Sequence, residues 1–290
     1  MNIAVLRGGR SREYDSHLSA VEILADLRLG EDKVIDITID ENGDWYERGI
    51  KTTPHHALPH VDIIINTTRE HDHVHLVRKM QIKKVFEPEP KVDNLRRLLF
   101  QLGIQYPNYT IVSKQIGETD MHDMWRNLHV PLVIKSQNKK LPTIFTYSPT
   151  ESLEYIKEIQ KRNDTPIVDG EVRGRTYHVA AVSNLRGEKV YIPSIMESFK
   201  KYGKNNFIRS QSLNDEERET LKKMVNSVHT HLDAPLAVYD FVKNKNGFVL
   251  VHVSTKPRYI PGSMLHEAFT ASGVTFREII QSMKNAIGIK

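Results

Sequence analysis

The segment from Ala237 to Ser263 contains residue types that could hold a metal ion. Asp240 lies in one apolar run, and His252 and Ser254 lie in a second run beyond a turn at 244–247. Two apolar runs joined through Asn-Gly predict a β-hairpin. Residues two apart on a strand share a face, so His252 and Ser254 could converge with Asp240 in one cleft. Asp240 with His252 could bind zinc, but this set suits magnesium poorly, and we favour the alternative of a histidine in a cleft without a metal.

A second candidate metal cluster consists of three histidines at a spacing of two, His71, His73 and His75. A metal site would require their side chains to converge. We expect instead that they line a solvated loop or the start of a helix. The chain has no cysteine, so thiolate metal sites, disulfides and cysteine nucleophiles are excluded.

Length and charge limit the classes of function. With 290 residues, the chain is long enough for a large core and for two or three subdomains. The formal net charge of +5 permits attraction to phosphates, but no long basic run alternates with aromatic residues, so nucleic-acid binding is not expected. No apolar run approaches the roughly 18 residues of a membrane span, and the amino end lacks the basic leader of a signal peptide. We therefore expect a globular protein of the cytoplasm, without a membrane partner.

The amino-terminal pattern predicts an α/β scaffold. Residues 2–6 form an apolar strand pattern, Gly8-Gly9 permits a turn, and residues 18–29 carry apolar side chains at helical spacing. Residues 34–39 and 61–66 predict two further strands. Strands that alternate with helices favour an open, largely parallel sheet.

The rest of the chain predicts a second unit and a long closing region. The stiff sequence Glu-Pro-Glu-Pro at 87–90 marks a boundary. Residues 131–135 predict a strand that ends in a lysine, and residues 198–207 are basic and loop-like. Long helices are predicted at 214–232 and 275–287.

Several motifs occur in an order that resembles the D-alanine-D-alanine ligases of the ATP-grasp fold. They include the amino-terminal run VLRGGRSREYDSHLSAVEIL, Tyr239-Asp240-Phe241, Ile260-Pro261-Gly262 and ASGVTFREI at 271–279. The resemblance covers nearly the whole chain. It implies an α/β protein of ATP-grasp architecture with an amino-terminal open parallel-sheet domain at 1–90. A small central ATP-grasp domain at 91–168 and a carboxy-terminal ATP-grasp domain at 169–290 would follow.

The same resemblance assigns roles to individual residues. Asp15, with Glu13 nearby, stands where the family has a glutamate that orients the amino acid substrate. Lys135 matches a lysine that contacts the nucleotide, and Lys204 matches another phosphate lysine. Asp240 matches a magnesium ligand. At its partner positions, the glutamate and the asparagine of the family, this chain has His252 and Ser254.

Other positions depart from the family pattern. The glycine-serine loop that covers the phosphates is replaced by SQNKKLPTIF at 136–145. A phosphate cradle needs backbone N–H groups and close approach, whereas Pro142 has no N–H and Leu141 is bulky. Thr176 stands in place of the glutamate that holds the ribose, and Val238 in place of the arginine that stabilises the tetrahedral anion.

These departures predict a D-alanine-D-alanine ligase-like ATP-grasp protein that has lost ligase activity and serves in binding, assembly or regulation. No cofactor is then expected, and the partner is an unknown protein or small molecule. The alternative is a divergent carboxylate-amine ligase that uses ATP and magnesium, with Glu13, Asp15, Lys135, Lys204 and Asp240 as its remaining site. The resemblance also implies a homodimer formed through the amino-terminal domain, and the predicted helix at 18–29 has apolar residues on more than one face.

Overall fold

The computed structural model describes ten ranges of the chain. They are residues 1–9, 13–68, 84–85, 92–113, 115–128, 130–137, 141–201, 204–232, 234–255 and 258–286. The chain divides into two compact units. The first contains residues 1–90, 177–240 and 252–290, and the second contains residues 91–176 and 241–251. The division into three domains stays a prediction. His71, His73, His75 and the 87–90 boundary lie outside the described residues.

Helices and strands are numbered here in chain order within the described residues. The helices are α1 (Glu13–Leu27), α2 (Pro54–Ala57), α3 (Val92–Gln101), α4 (Glu118–Asn127), α5 (Pro149–Lys161), α6 (Asp215–Leu232), α7 (Met264–Ser272) and α8 (Phe276–Ala286). The strands are β1 (Asn2–Gly8), β2 (Lys33–Ile39), β3 (Trp45–Glu47), β4 (Ile50–Thr52), β5 (Ile63–Asn66), β6 (Lys84–Val85), β7 (Tyr109–Ile111), β8 (Leu132–Ser136), β9 (Ile144–Thr146), β10 (Pro166–Gly170), β11 (Arg175–Leu185), β12 (Glu188–Tyr191), β13 (Ile195–Lys201), β14 (Lys204–Arg209), β15 (Leu236–Asn244) and β16 (Gly247–Ser254).

The amino-terminal sheet has the strand order β4-β3-β2-β1-β5-β6. Strands β2, β1, β5 and β6 run parallel, and the short strands β3 and β4 add an antiparallel edge. The predicted open, largely parallel sheet is therefore confirmed. The glycine pair after β1 has a packing role, because a Cβ on Gly8 would lie 2.1 Å from the carbonyl oxygen of Ile39. Gly9 N–H donates to that same oxygen at 2.8 Å.

The largest apolar core of the first unit combines residues that are far apart in sequence. It joins Ile3 and Val5 of β1 with Ile23 of α1, Phe269 of α7 and Ile280 of α8. The carboxylate of Asp26 on α1 also accepts the backbone N–H groups of Phe276 and Arg277, at 2.5 and 3.2 Å. A carboxylate at this place satisfies donors that a helix leaves free in its first turn. The first helix is thereby fixed to the last one.

The second unit contains an antiparallel sheet with the order β7-β10-β8-β9. One face of this sheet and the helices α4 and α5 share an apolar core, which includes Met121, Leu132, Ile134, Ile156 and Val168. Side chains alternate across a strand, so Lys135 and Asp169 lie on the opposite face of the sheet. That face positions the charged residues of the second unit.

The third sheet has the order β14-β13-β11-β15-β16, and β12 pairs with β11. The predicted hairpin is confirmed, because β15 and β16 are neighbours joined by the turn at Lys245 and Asn246. The prediction of a loop at 198–207 is wrong. These residues contribute to β13 and β14, which pair antiparallel with Ser198 opposite Phe207. Pairing within the sheet outweighs the weak strand propensity of the lysines and asparagines in these strands.

The helix predictions hold with changes at their ends. Helix α1 begins at Glu13, five residues before the predicted start at Leu18, and α6 and α8 begin one residue after their predicted starts. Helices α2, α4 and α7 were not predicted. No helix within the described ranges is long and apolar enough to cross a membrane.

Candidate functional site

Asp240 is bound by a histidine from the neighbouring strand. On β15, Asp240 continues the core-facing row of Leu236 and Val238, and on β11, His178 precedes Ala180 in the corresponding row. Both side chains are therefore held at the end of the apolar core. His178 Nδ1 lies 2.6 Å from Asp240 Oδ1. A carboxylate can only accept, so Nδ1 carries the hydrogen of this bond.

The rest of the His178 imidazole is enclosed. Its ring meets the ring of Phe207 edge to face, with centroids 5.2 Å apart and an interplanar angle of 82°. The Nε2 atom is buried and has no hydrogen-bond partner among the described residues. Asp240 is therefore the polar contact that fixes the orientation of this ring.

The predicted partners of Asp240 do not form a metal cluster with it. His252 is exposed and Ser254 is half-buried on β16. In the part of the chain that the structure describes, no group of three or more His, Asp or Glu side chains could hold a metal ion. Magnesium needs several oxygen ligands at about 2.0–2.1 Å. An aspartate already bound to an imidazole, a serine and an exposed histidine do not fit that requirement.

Lys135 belongs to a charged cluster on the sheet of the second unit. Its Nζ lies 2.6 Å from Asp169 Oδ2, and Arg96 Nη2 donates to Asp169 Oδ1 at 2.5 Å. The Lys135 contact is an ion pair without hydrogen-bond alignment at Oδ2, and its Coulomb energy depends on the distance. The Arg96 guanidinium also stacks on Tyr109, 3.5 Å from the ring centroid. Two cations and one anion leave this cluster with one positive charge.

The described residues of the segment that replaces the phosphate loop form hydrogen bonds with one another and with Asp164 and Tyr155. Ser136 Oγ donates to the carboxylate of Asp164 and accepts the N–H of Leu141 at 3.4 Å. The carbonyl oxygen of Pro142 accepts the hydroxyl of Tyr155 at 2.5 Å. Residues 138–140 lie outside the described part of the chain. The N–H of Leu141 is therefore directed at Ser136, and Pro142 has none to offer a phosphate.

Asp15 forms an ion pair with Arg258, whose Nη2 lies 2.6 Å from Asp15 Oδ1. Both residues belong to the first unit. Glu13 begins α1 and Lys204 begins β14, but their side chains lie outside the described part of the structure. The structure thus gives a partner to Asp15, Lys135 and Asp240.

Comparison with known proteins identifies the family. The profile described as D-ala D-ala ligase C-terminus matches residues 98–285. This match covers more than half of the chain. The chain belongs to the D-Ala-D-Ala ligase family. No curated protein sequence matches it.

Solved structures of the ligase family share the fold of the whole chain. D-alanyl-alanine synthetase A from Vibrio cholerae superimposes with a TM-score of 0.83 and 16% identity, over 100% of this chain and 99% of that one. The VanG D-Ala:D-Ser ligase from Enterococcus faecalis superimposes with a TM-score of 0.76 and 16% identity, over 99% of this chain and 98% of that one. For the D-alanine-D-alanine ligase from Bacillus anthracis complexed with ATP, the TM-score is 0.75 and the identity 14%, over 99% of this chain and 96% of that one. The predicted ATP-grasp fold is confirmed.

Three partners of the predicted site residues were missed from the sequence. His178, Asp169 and Arg258 each meet a predicted residue, but they come from other strands or segments. The alternation on β11 contained a signal for His178, a polar residue in a core-facing row. Its partner is 62 residues away, and sequence alone did not show that β11 and β15 are neighbours.

Proposed function

We propose that this member of the D-Ala-D-Ala ligase family has lost magnesium-dependent ligase activity and serves a binding or regulatory function. The observation that carries the proposal is the 2.6 Å contact between His178 and Asp240. It places an imidazole against the carboxylate that the family resemblance assigns to the metal. Charge stabilisation by metal and cations dominates phosphoryl and acyl transfer, so an enzyme without them would lose most of its rate.

The segment that stands in place of the phosphate loop supports the same proposal. The segment at 136–145 replaces a glycine-rich cradle with bulky residues and a proline. Leu141 directs its N–H to Ser136. Backbone donors and close approach are what a phosphate loop supplies. Neither ATP nor magnesium is expected as a cofactor under this proposal.

The alternative function is a divergent ligase that joins a carboxylate to an amine with ATP and magnesium. The charged cluster of Arg96, Asp169 and Lys135 favours it, because a net positive charge remains beside the half-buried Lys135. A paired ammonium can still attract an anion. Under this alternative, Asp15 and Glu13 would orient the substrate, and Lys204 would bind phosphate.

Calorimetry with ATP and Mg²⁺ separates the two functions. We expect no saturable heat that depends on the metal. The same protein should release no phosphate from ATP when D-alanine or D-serine is supplied, the substrates named for its structural relatives. The Vibrio cholerae synthetase, measured alongside, shows that the assay detects ligation.

Tight binding of ATP that requires Mg²⁺ would overturn the proposed loss of activity. Phosphate release with D-alanine would identify the chain as a ligase of the alternative type. Binding of ATP without the metal would agree with the loss of ligase chemistry but would contradict the expectation that ATP is not a cofactor.

A further inference from the structure

The contact between His178 and Asp240 has the features of a built replacement for a metal ion. The two side chains stand on neighbouring strands, and each continues a core-facing row. Phe207 and the core fix the imidazole on its other sides. The Nδ1–H group is therefore presented to Oδ1 by the sheet, and no flexible segment is involved.

A donor at this position competes directly with a cation. A divalent ion on Oδ1 would share that oxygen with the Nδ1–H bond, and it would face the positive end of that bond. A hydrogen bond to a charged acceptor is stronger than one between neutral groups. The bond is also the single polar contact of the ring within the described residues, because Nε2 has no partner. Breaking it would leave neither ring nitrogen with a partner among the described residues, and Nε2 is buried, which adds to the cost.

We infer that His178 occupies the metal-binding side of Asp240, as an intramolecular donor in place of a divalent cation. This inference rests on the proposed loss of magnesium-dependent activity and names the residue that enforces it. It has a consequence that missing ligands alone would not have. Restoring oxygen ligands at positions 252 and 254 does not restore metal binding while His178 is present.

Manganese binding to a set of variants tests this consequence, with Mn²⁺ followed by electron paramagnetic resonance. The first variant carries His252→Glu and Ser254→Asn. The second adds His178→Leu, and the third adds His178→Asn to the same pair. Asparagine places an amide donor near the position of Nδ1. Leucine has the same number of side-chain heavy atoms as asparagine but no donor. Leucine can also keep the contact with Phe207.

The leucine variant is expected to bind Mn²⁺ at least about tenfold more tightly than the first variant, since one charge-assisted hydrogen bond no longer opposes the cation. The asparagine variant should stay close to the first. Adding Asp240→Asn to the leucine variant should abolish the gain. Equal affinity in the first and leucine variants, or an equal gain with leucine and asparagine, would overturn the inference.

Folding is checked by thermal unfolding of each variant. If the leucine variant does not fold, His178→Ala takes its place with the same expected gain. Failure of the proposed function would show itself in the unmodified chain, as magnesium-dependent ATP turnover. Failure of this inference would show itself in the variants while the unmodified chain stays inactive.

Discussion

Asp169 is a buried carboxylate held by two cations that differ in exposure. Its side chain is 3% exposed, that of Arg96 is 8% exposed and that of Lys135 is 27% exposed. An anion buried to this degree is costly unless it stays paired. Arg96 supplies a directed bond and stacks on Tyr109, whereas water reaches Lys135. The two cations should therefore contribute unequally to stability.

Arg96→Ala should lower the free energy of unfolding by about 3 kcal/mol, because it leaves the buried Asp169 carboxylate with only the partly solvated Lys135, whose ion pair lacks hydrogen-bond alignment. Lys135→Ala should lower it by about 1 kcal/mol, because Arg96 remains on the carboxylate. Urea denaturation of the two variants measures both losses. Equal losses, or a larger loss for Lys135→Ala, would contradict this ranking. In a chain that carries Asp169→Asn, the loss from Lys135→Ala should shrink toward zero.

The reactive residue types were visible in the sequence, but their partners were not. Asp240 and Lys135 could be named because each follows an apolar strand pattern at a position that the family resemblance assigns. Asp169 follows such a pattern too, yet it could not be paired with Lys135 without knowing that β8 and β10 are antiparallel neighbours. The register that places Lys135 opposite Ile167 and diagonal to Asp169 is a property of the folded sheet.

At the scale of the element, β11 begins where the backbone of another strand comes very close. A Cβ added to Gly174 would lie 2.0 Å from the carbonyl oxygen of Lys243, and both residues belong to the second unit. Gly187, in the turn between β11 and β12, has a φ of 81° and no atom within 4 Å of such a Cβ. Gly174 also has a positive φ, 157°, so the pair compares close approach added to backbone strain with backbone strain alone.

Gly174→Ala should therefore destabilise the protein by about 3 kcal/mol or more, because the Lys243 carbonyl must move. Gly187→Ala should cost about 1 kcal/mol, the strain of a non-glycine residue with positive φ. Thermal unfolding of both variants gives the comparison. If the two glycine variants lose the same stability, close approach is not what requires Gly174.

Element types were predictable where local signals agreed with the fold. Strands β15 and β16 alternate in hydrophobicity and enclose Asn246-Gly247, so their hairpin could be predicted. The segment at 198–207 has no such alternation, and it forms strand because β13 already pairs with β11. Helix α1 extends to Glu13, before the first regularly spaced apolar residue. Helix ends and polar strands depend on tertiary contacts that local propensity does not contain.

At the scale of the whole molecule, α1 leaves an apolar row outside the core. Val21 is 52% exposed and Tyr14 is 75% exposed, and Leu18 and Ala25 complete the row at helical spacing. Ile23 lies on the opposite, buried side. We propose that a second copy of the chain covers this row in a homodimer, as the resemblance to the ligase family implies.

Val21→Asp should convert the dimer to a monomer in light scattering at micromolar concentration. A stable two-fold contact buries about 1,200 Å² or more, and an aspartate at its centre would be desolvated without a partner. Ile50→Asp, at an exposed position of β4, is the control and should leave the mass unchanged. A monomeric unmodified protein would remove the homodimer, and so would a Val21→Asp variant with the dimer mass.

A buried hydrogen-bond chain links stability to pH. Ser183 Oγ donates to the Ala234 carbonyl at 2.9 Å, so His229 Nε2 must donate to Ser183, and His229 Nδ1 accepts the Tyr239 hydroxyl at 2.8 Å. Burial lowers the pKa of His229 from 6.5 to about 4 and raises the pKa of Tyr239. The folded protein therefore holds this imidazole neutral at a pH where the unfolded chain binds a proton.

Stability should fall as the pH falls from about 6.5 to about 4, because the unfolded state gains the proton first. The shift corresponds to about 3 kcal/mol once the lower pKa is reached. Unfolding in urea between pH 8 and pH 4.5 should show a steeper loss for the unmodified protein than for His229→Gln. We expect the glutamine variant to be less stable at pH 8, but its unfolded state has no imidazole at position 229 to bind a proton as the pH falls. Parallel pH profiles would assign the acid sensitivity to other groups.

The bond between Asp26 and the start of α8 has a consequence for the newly made chain on the ribosome. The apolar side of β1 and α1 is complete only when α7 and α8 have been synthesised, more than two hundred residues later. Until then Ile3, Val5 and Ile23 lack the neighbours that α7 and α8 provide, and exposed apolar surface of this kind attracts chaperones and other chains. The second unit needs only residues 241–251 beyond its own continuous stretch. Synthesis of the chain therefore begins with the unit whose core is completed last.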